Sequence, residues 1–461
     1  MQKPVFGRDV VYSFLATLSQ GGARFVINWV VGRFGGVLAL GNVMSGFSLA
    51  QLLAILGPSP AGTAASKFGA SERAVVDGEY SGSSAHAVKR TAQVVPVLMV
   101  MALVVSQVVY GVAALEAAAV AVSLMGLSVW ALGRGALYGQ GKIRLASLID
   151  ISTAMVSVLG TLAAIQFGVD GMFLLLPAAI AQLAYVPYLV SNVNWLRPRV
   201  SVAREVDSFI FFGVAGILAS AGFLHFTVVL VRAWVGAPAS GQFNAAIAVS
   251  MPLLMVTSSF ATVFYPRLSR LWALGDTASY RALTDKYVRI VAGVCYLLIG
   301  SLFVYSREFI LFVWGDEYDQ AASVVPITLL AALLKGLTAV VVSSLTAGPS
   351  WGMRASARMS VLGSSVGIIA SLILIFYHGL VGAAIGFLIG TVVTSLFPLY
   401  VVWRHGRYRW GALVVRYGVG ISALGGLYLL NPAIGPLWLA FFFVAISVCL
   451  LAPDLRKFAS R

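Results

Sequence analysis

Two ladders of polar side chains run through otherwise apolar sequence. Ser13, Thr17, Gln20, Arg24 and Asn28 follow one another at helical intervals within residues 10–32, a stretch whose one charge is Arg24. At 3.6 residues per turn the five share a face, within an arc of roughly 80°. An arginine in mid-membrane costs about 2.5–3.5 kcal/mol unless it faces water, a partner or a ligand. Snorkelling to the outer surface would spare that cost, but Arg24 lies well short of its helix end. A full polar stripe accords better with a wet or protein-facing surface, and best with one that lines a cavity. The chemistry on offer is anion binding, because a guanidinium grips a phosphate through paired N–H donors.

The second ladder is Asp150, Thr153, Ser157 and Thr161. Asp150 is the one carboxylate that falls well inside a predicted helix, and it has two readings. It is either a structural partner for Arg134, at similar depth near the inner end of the fourth helix, or a protonatable, ion-coupling group. Lys335 sits midway along the tenth predicted helix, on a face shared with Thr328 and, more loosely, Thr338. His225 reads most simply as a hydrogen-bonded packing residue. Arg33, Arg232 and Arg307 at outer helix ends need only lipid headgroups, as does Arg416 at an inner end. The membrane interior thus sets Arg24, Arg134 and Lys335 against Asp150, a balance suited to an anionic substrate. Gln20 and Asn28 join the candidate substrate-binding set from the first ladder.

No catalytic motif competes with this reading. There is no HExxH, no histidine cluster and no phosphate loop followed by GK[ST]. The sequence therefore predicts no enzyme, no cofactor, no metal site and no self-powered ATPase. Cys295 and Cys449 both fall in apolar segments, which argues against a disulfide framework.

The elements that must position these groups are membrane helices. Of 461 residues 60% are hydrophobic and 10% charged, where soluble chains carry about 25% charged residues. About fourteen apolar segments are long enough to span, near 9–32, 38–57, 91–113, 117–138, 145–167, 171–194, 208–233, 240–263, 285–305, 322–345, 357–377, 380–403, 410–430 and 433–451. The first is too long and too polar for a cleaved signal peptide. The chain reads as an all-α polytopic membrane protein.

A net charge of +15 would point to nucleic acid in a soluble chain. Here the excess lies in alternate connections, such as Lys142 with Arg144, Arg267 with Arg270, and Arg404 with Arg409. The intervening ones are short and nearly free of lysine, for example "FGVDG" and "GAPASG". This is topogenic charge, so no nucleic-acid partner is expected. It predicts a multi-pass protein of the cytoplasmic (inner) membrane with both termini in the cytoplasm. The longest connection, 66–90, reads as an amphipathic segment at the membrane surface, and none is long enough for a soluble domain.

A weak repeat appears at an offset of 200 residues. "GGVLALGNVMSGFSLAQLLAILG" (35–57) lies over "VGAPASGQFNAAIAVSMPLLMVT" (235–257), matching Gly36 to Gly236 and Gly41 to Gly241. It predicts two six-helix bundles, 1–200 and 201–405, followed by an extra helix pair in 406–461. Internal repeats with a site between them are a common transporter plan.

Four stretches carry a family likeness. "RFGGVLALGNVMSGFSLAQLLAILG", "WVGAPASGQFNAAIAVSMPLLMVTSSFATVFYPRLSRL" (234–271), "REFILFVWGDEYDQAASVVPITLLA" (307–331) and "ALYGQGKIRLASLID" (136–150) resemble the polysaccharide exporters of the multidrug/oligosaccharidyl-lipid/polysaccharide (MOP) superfamily. The resemblance implies a MATE-like inverted V of two bundles. It implies a Wzx-type flippase that moves a lipid-linked, polyprenyl-pyrophosphate oligosaccharide by alternating access. In such flippases basic residues line a central cavity; Arg24 matches such a position, and Arg267 or Arg270 matches one at the inner end of the eighth helix. The implied partners are the lipid-linked oligosaccharide, the bilayer and other polysaccharide-assembly proteins. A cation-coupled multidrug antiporter of the MATE type is the alternative. That branch typically uses membrane carboxylates, where the first helix here offers an arginine.

Overall fold

In hydrocarbon every backbone N–H and C=O must be bonded within the protein, so long apolar segments become helices. The computed structural model describes residues 6–74, 82–193, 199–348, 351–406, 408–430 and 436–459. Among these there is no strand, and eleven helical segments are long and apolar enough to cross a membrane. Two continuous helical runs, of 50 and 55 residues, are too long for one crossing of a hydrocarbon layer of about 30 Å. Each is broken at a glycine: Gly36 has φ 80° and Gly379 has φ 52°, a left-handed backbone that side chains with a Cβ resist. With these two runs divided, and the shorter apolar helix at Phe441–Ala452 added, the spans number fourteen, as expected.

They are α1 (6–35), α2 (37–55, resuming at Pro58–Ala74 after a turn at Leu56–Gly57), α3 (Ser83–Tyr110), α4 (Ala114–Gly139) and α5 (Ile143–Gln166). Next come α6 (171–192), α7 (200–234, with a π-helical turn at Leu218–Gly222), α8 (Ala237–Ala273) and α9 (Thr277–Val304). The last are α10 (Asp319–Ala347), α11 (352–378), α12 (380–406), α13 (Gly411–Leu430) and α14 (Pro436–Ala459). The chain forms two compact units, Met1–Asn244 and Ala245–Arg461.

The connection at 66–90 differs from its sequence reading. Residues 66–74 complete α2, which packs along α4 with Ala61, Ala64, Ala65 and Phe68 buried. Helix α3 starts at Ser83, not near residue 91. Glu72 fixes that start: its carboxylate accepts from the Ser83 hydroxyl at 2.8 Å and the Ser84 N–H at 3.1 Å. A carboxylate on the open N–H groups of a helix start is favourable. Small residues along α2 and α4 hide the packing face from a polarity reading; residues 75–81 lie outside the described residues.

The offset-200 repeat has a physical counterpart in the first unit. A Cβ on Gly41 would run into the Ala237 carbonyl oxygen, and one on Gly241 into that of Val37. The contact is reciprocal, residue for residue, and Gly236, like its match Gly36, has positive φ. Such close crossings of small residues drive helix association where lipid removes the hydrophobic incentive. In the second unit α9 packs on α13 and α14 through Tyr296, Tyr417, Leu424, Phe443 and Leu450.

Candidate functional site

The Asp150 cluster is built by four helices of the first unit. Asp150 is completely buried on α5. Its Oδ1 accepts from Trp130 Nε1 on α4 at 2.8 Å and lies 2.8 Å from the Tyr185 hydroxyl on α6. That hydroxyl is also 2.9 Å from the Ala146 carbonyl, so one proton serves two acceptors. Arg134 Nε lies 3.0 Å from Asp150 Oδ2, a charge contact without hydrogen-bond alignment. Arg134 further donates to the Tyr138 hydroxyl at 3.2 Å and stands over the Trp130 and Tyr138 rings. Gly133 makes room: a Cβ there would fall 2.6 Å from Tyr185 Cβ. From α1, Gln20 Nε2 donates to the Asp150 carbonyl at 2.7 Å and to Thr153 Oγ1 at 3.1 Å.

The rest of the α5 ladder is satisfied within its own helix. Ser157 donates to the Thr153 carbonyl at 2.6 Å and Thr161 to the Ser157 carbonyl at 2.8 Å. Both hydroxyls are buried, so this stripe binds backbone and not water.

Arg24 is different. It is half-buried and makes no hydrogen bond or ion pair with any described residue. Its guanidinium stands 5.1 Å from the centre of the Phe47 ring on α2, a cation–π contact. The other face of the arrangement is His225 on α7, edge-on to Phe47 at 6.1 Å, with Nδ1 3.3 Å from Ser48 Oγ. The charged neighbour that acts on Arg24 is Arg134, a like charge. Asn28, one turn further along α1, is fully buried with neither amide atom hydrogen-bonded. The α1 ladder therefore fans out: Gln20 reaches α5, Asn28 is enclosed, and Arg24 keeps an open charge. The side chain of Ser13 lies outside the described residues.

Lys335 on α10 repeats the pattern in the second unit. It is half-buried, without hydrogen bond or ion pair to a described residue, and its ammonium lies 4.8 Å from the Phe387 ring centre on α12. Thr328 and Thr338, expected beside it, bond instead to the Ala246 carbonyl at 3.2 Å and the Leu334 carbonyl at 2.7 Å. Arg267 and Arg270 are exposed at the end of α8, Arg267 donating to the Tyr287 hydroxyl at 3.3 Å. Arg232, expected to anchor at headgroups, turns inward to Asn42 Oδ1 at 3.1 Å and the Tyr110 carbonyl at 3.3 Å. Arg307 instead pairs with Asp319 at 3.0 Å. In each case an acceptor within the protein is in reach.

Sequence reasoning missed Trp130, Tyr185, Phe47 and Phe387. Their signal was weak, since aromatic residues facing a partner and facing lipid look alike in an apolar segment.

Solved structures of the same architecture exist. The lipid II flippase MurJ in an inward closed conformation superposes with a TM-score of 0.71, covering 98% of this chain and all of its own at 12% identity. An inward-facing multidrug resistance MATE family transporter of the MOP superfamily also gives 0.71, over 90% of this chain and 96% of its own at 14% identity. The fold is the one these transporters share. A MATE transporter in a bent conformation follows at 0.57, over 92% of this chain and 96% of its own at 15% identity. No family model matches the sequence, and no curated protein does. The neighbours are transporters, and this chain is a multi-pass membrane protein with their architecture.

Proposed function

We propose that the protein flips a lipid-linked anionic saccharide, of the polyprenyl-pyrophosphate oligosaccharide class, across the cytoplasmic membrane for surface polysaccharide assembly. The observation that carries this reading is Arg24, a cation held in an apolar helix without a carboxylate partner among the described residues. Lys335 has the same character in the other unit. A charge left open at such cost is of use only to an anion that comes and goes. Phosphate suits the guanidinium, and a flippase for lipid II is among the structural neighbours. Arg267 and Arg270, exposed at the end of α8, would meet the headgroup on entry. Alternating access by two bundles, 1–200 and 201–405, with 406–461 as an added helix pair, would move it. With no phosphate loop in the sequence, the driving force is an ion or substrate gradient.

The test is flipping by the purified protein in liposomes carrying a fluorescent prenyl-pyrophosphate oligosaccharide. Lectin access to the inner-leaflet sugar rises with protein and falls with Arg24→Ala. Protein that moves none of several such lipids, yet drives efflux of a cationic dye down an imposed gradient, would establish the multidrug antiporter instead.

An even number of spans returns the chain to its starting side, and the basic connections assign that side to the cytoplasm. Lys142 and Asp170 are both exposed, at opposite ends of α5. On a background lacking Cys295 and Cys449, a membrane-impermeant thiol reagent applied to intact cells should label Asp170→Cys and spare Lys142→Cys. The reverse pattern would invert the topology.

A further inference from the structure

The second unit holds a cavity of about 270 Å³ that the transport reading does not use. It lies where the ends of α8, α9, α10 and α12 come together with Trp351 and Tyr408, at the end of the unit bearing the basic connections. Its floor is aliphatic, from Leu345, Val401 and Val402, and its walls are aromatic. Trp272 and Trp351 are 41% and 39% exposed at its mouth, as interfacial anchors are. Tyr280 closes one side, its hydroxyl bonded to the Ser344 carbonyl.

Two basic side chains, Arg281 and His405, enter this apolar cup. Arg281 makes no hydrogen bond or ion pair with any described residue. The carboxylates on either side of it in sequence are engaged elsewhere. Asp276 caps α9 by accepting from the Ser279 N–H at 2.9 Å, which holds its carboxyl below the usual range. Asp285 accepts from Arg289 at 3.0 Å and Trp410 Nε1 at 2.8 Å. His405 places Nδ1 3.1 Å from the Val401 carbonyl and its ring 5.1 Å from Trp351. With Nδ1–H donating to that carbonyl, Nε2 is the ring nitrogen left for a ligand, and in the imidazolium form it carries the N–H that a phosphate oxygen would accept. Among the described residues no carboxylate lines the cavity.

We propose that this cavity seats the headgroup of an anionic phospholipid, its phosphate on Arg281 and His405 and the start of its chains against Trp272 and Trp351. Size limits the occupant: whole-ligand pockets run about 300–1,000 Å³, so this one takes a headgroup and not a lipid-linked saccharide. Placement favours a lipid, because basic pockets between helix ends at the cytoplasmic leaflet are suited to anionic headgroups. The site is independent of the one at Arg24.

Native mass spectrometry of the full chain in detergent tests it, with phosphatidylglycerol and phosphatidylcholine of identical acyl chains as probes. The protein should retain phosphatidylglycerol about tenfold more. Arg281→Gln with His405→Gln, both exposed and so tolerated by the fold, should bring that ratio to about one. Trp272→Ala with Trp351→Ala should weaken both lipids together and keep the preference. A ratio near one in the unaltered protein overturns the proposal, as does a preference that survives loss of Arg281 and His405. Complete displacement of phosphatidylglycerol by excess inorganic phosphate would assign the cavity to a soluble phosphate instead.

Discussion

Arg24→Ala should abolish complementation of a flippase-null strain while the protein stays in the membrane at its normal amount. The two halves of that result have separate causes. Arg24 holds no acceptor among the described residues and feels a like charge from Arg134, so its removal takes nothing from the fold except a contact with Phe47. Losing an unpaired membrane arginine relieves a cost of about 2.5–3.5 kcal/mol, and the variant should be at least as stable as the parent. Function moves the other way. A hydrogen bond to a charged group contributes about 1.5–3 kcal/mol, so substrate binding should weaken about 10- to 150-fold. Arg24→Lys keeps the charge but loses the paired donors and should recover part of the activity. Measured together, abundance and flipping separate a binding residue from a structural one. Full activity in Arg24→Ala at normal abundance would remove Arg24 from the site.

The second expectation concerns Asp150 and Arg134, and here stability is what changes. Asp150→Asn leaves the Arg134 guanidinium facing a neutral amide in a buried setting. Arg134→Gln leaves a buried carboxylate with Trp130 and Tyr185 as its donors. Breaking one side of a buried pair costs about 3–5 kcal/mol, whereas removing both charges can be nearly neutral. Each single variant should therefore lower the yield and melting temperature of purified protein, and the double variant should regain most of the loss. The cycle should therefore show strong, favourable coupling between the two residues; additive losses would mean that the 3.0 Å approach does no energetic work. The same double variant addresses ion coupling. An ion bound at Asp150 must displace Arg134, so transport that keeps its gradient dependence in Asp150→Asn/Arg134→Gln locates coupling elsewhere.

What the sequence alone determined is what depends on sums along the chain. Length and apolarity of each segment give the fourteen spans, because the cost of unbonded backbone in hydrocarbon is the same wherever the segment later packs. Alternation of basic connections is likewise local. So is the oddity of Arg24 and Lys335, since a charge in an apolar run is costly whichever helix lies next to it. The tertiary structure decided which way each helix is rotated and what meets it. In a membrane the face toward lipid and the face toward a neighbouring helix are both apolar, so composition does not orient a helix about its axis. That is why the polar spacing of the α5 ladder does not reveal that Ser157 and Thr161 bond to their own backbone, and why Arg232 turns to Asn42 when headgroups were in reach. It is also why Ala61, Ala64, Ala65 and Phe68, in a segment without a strong apolar pattern, lie buried. Trp130 and Tyr185 reach Asp150 from α4 and α6, which meet α5 only by packing; no spacing along the chain records that meeting.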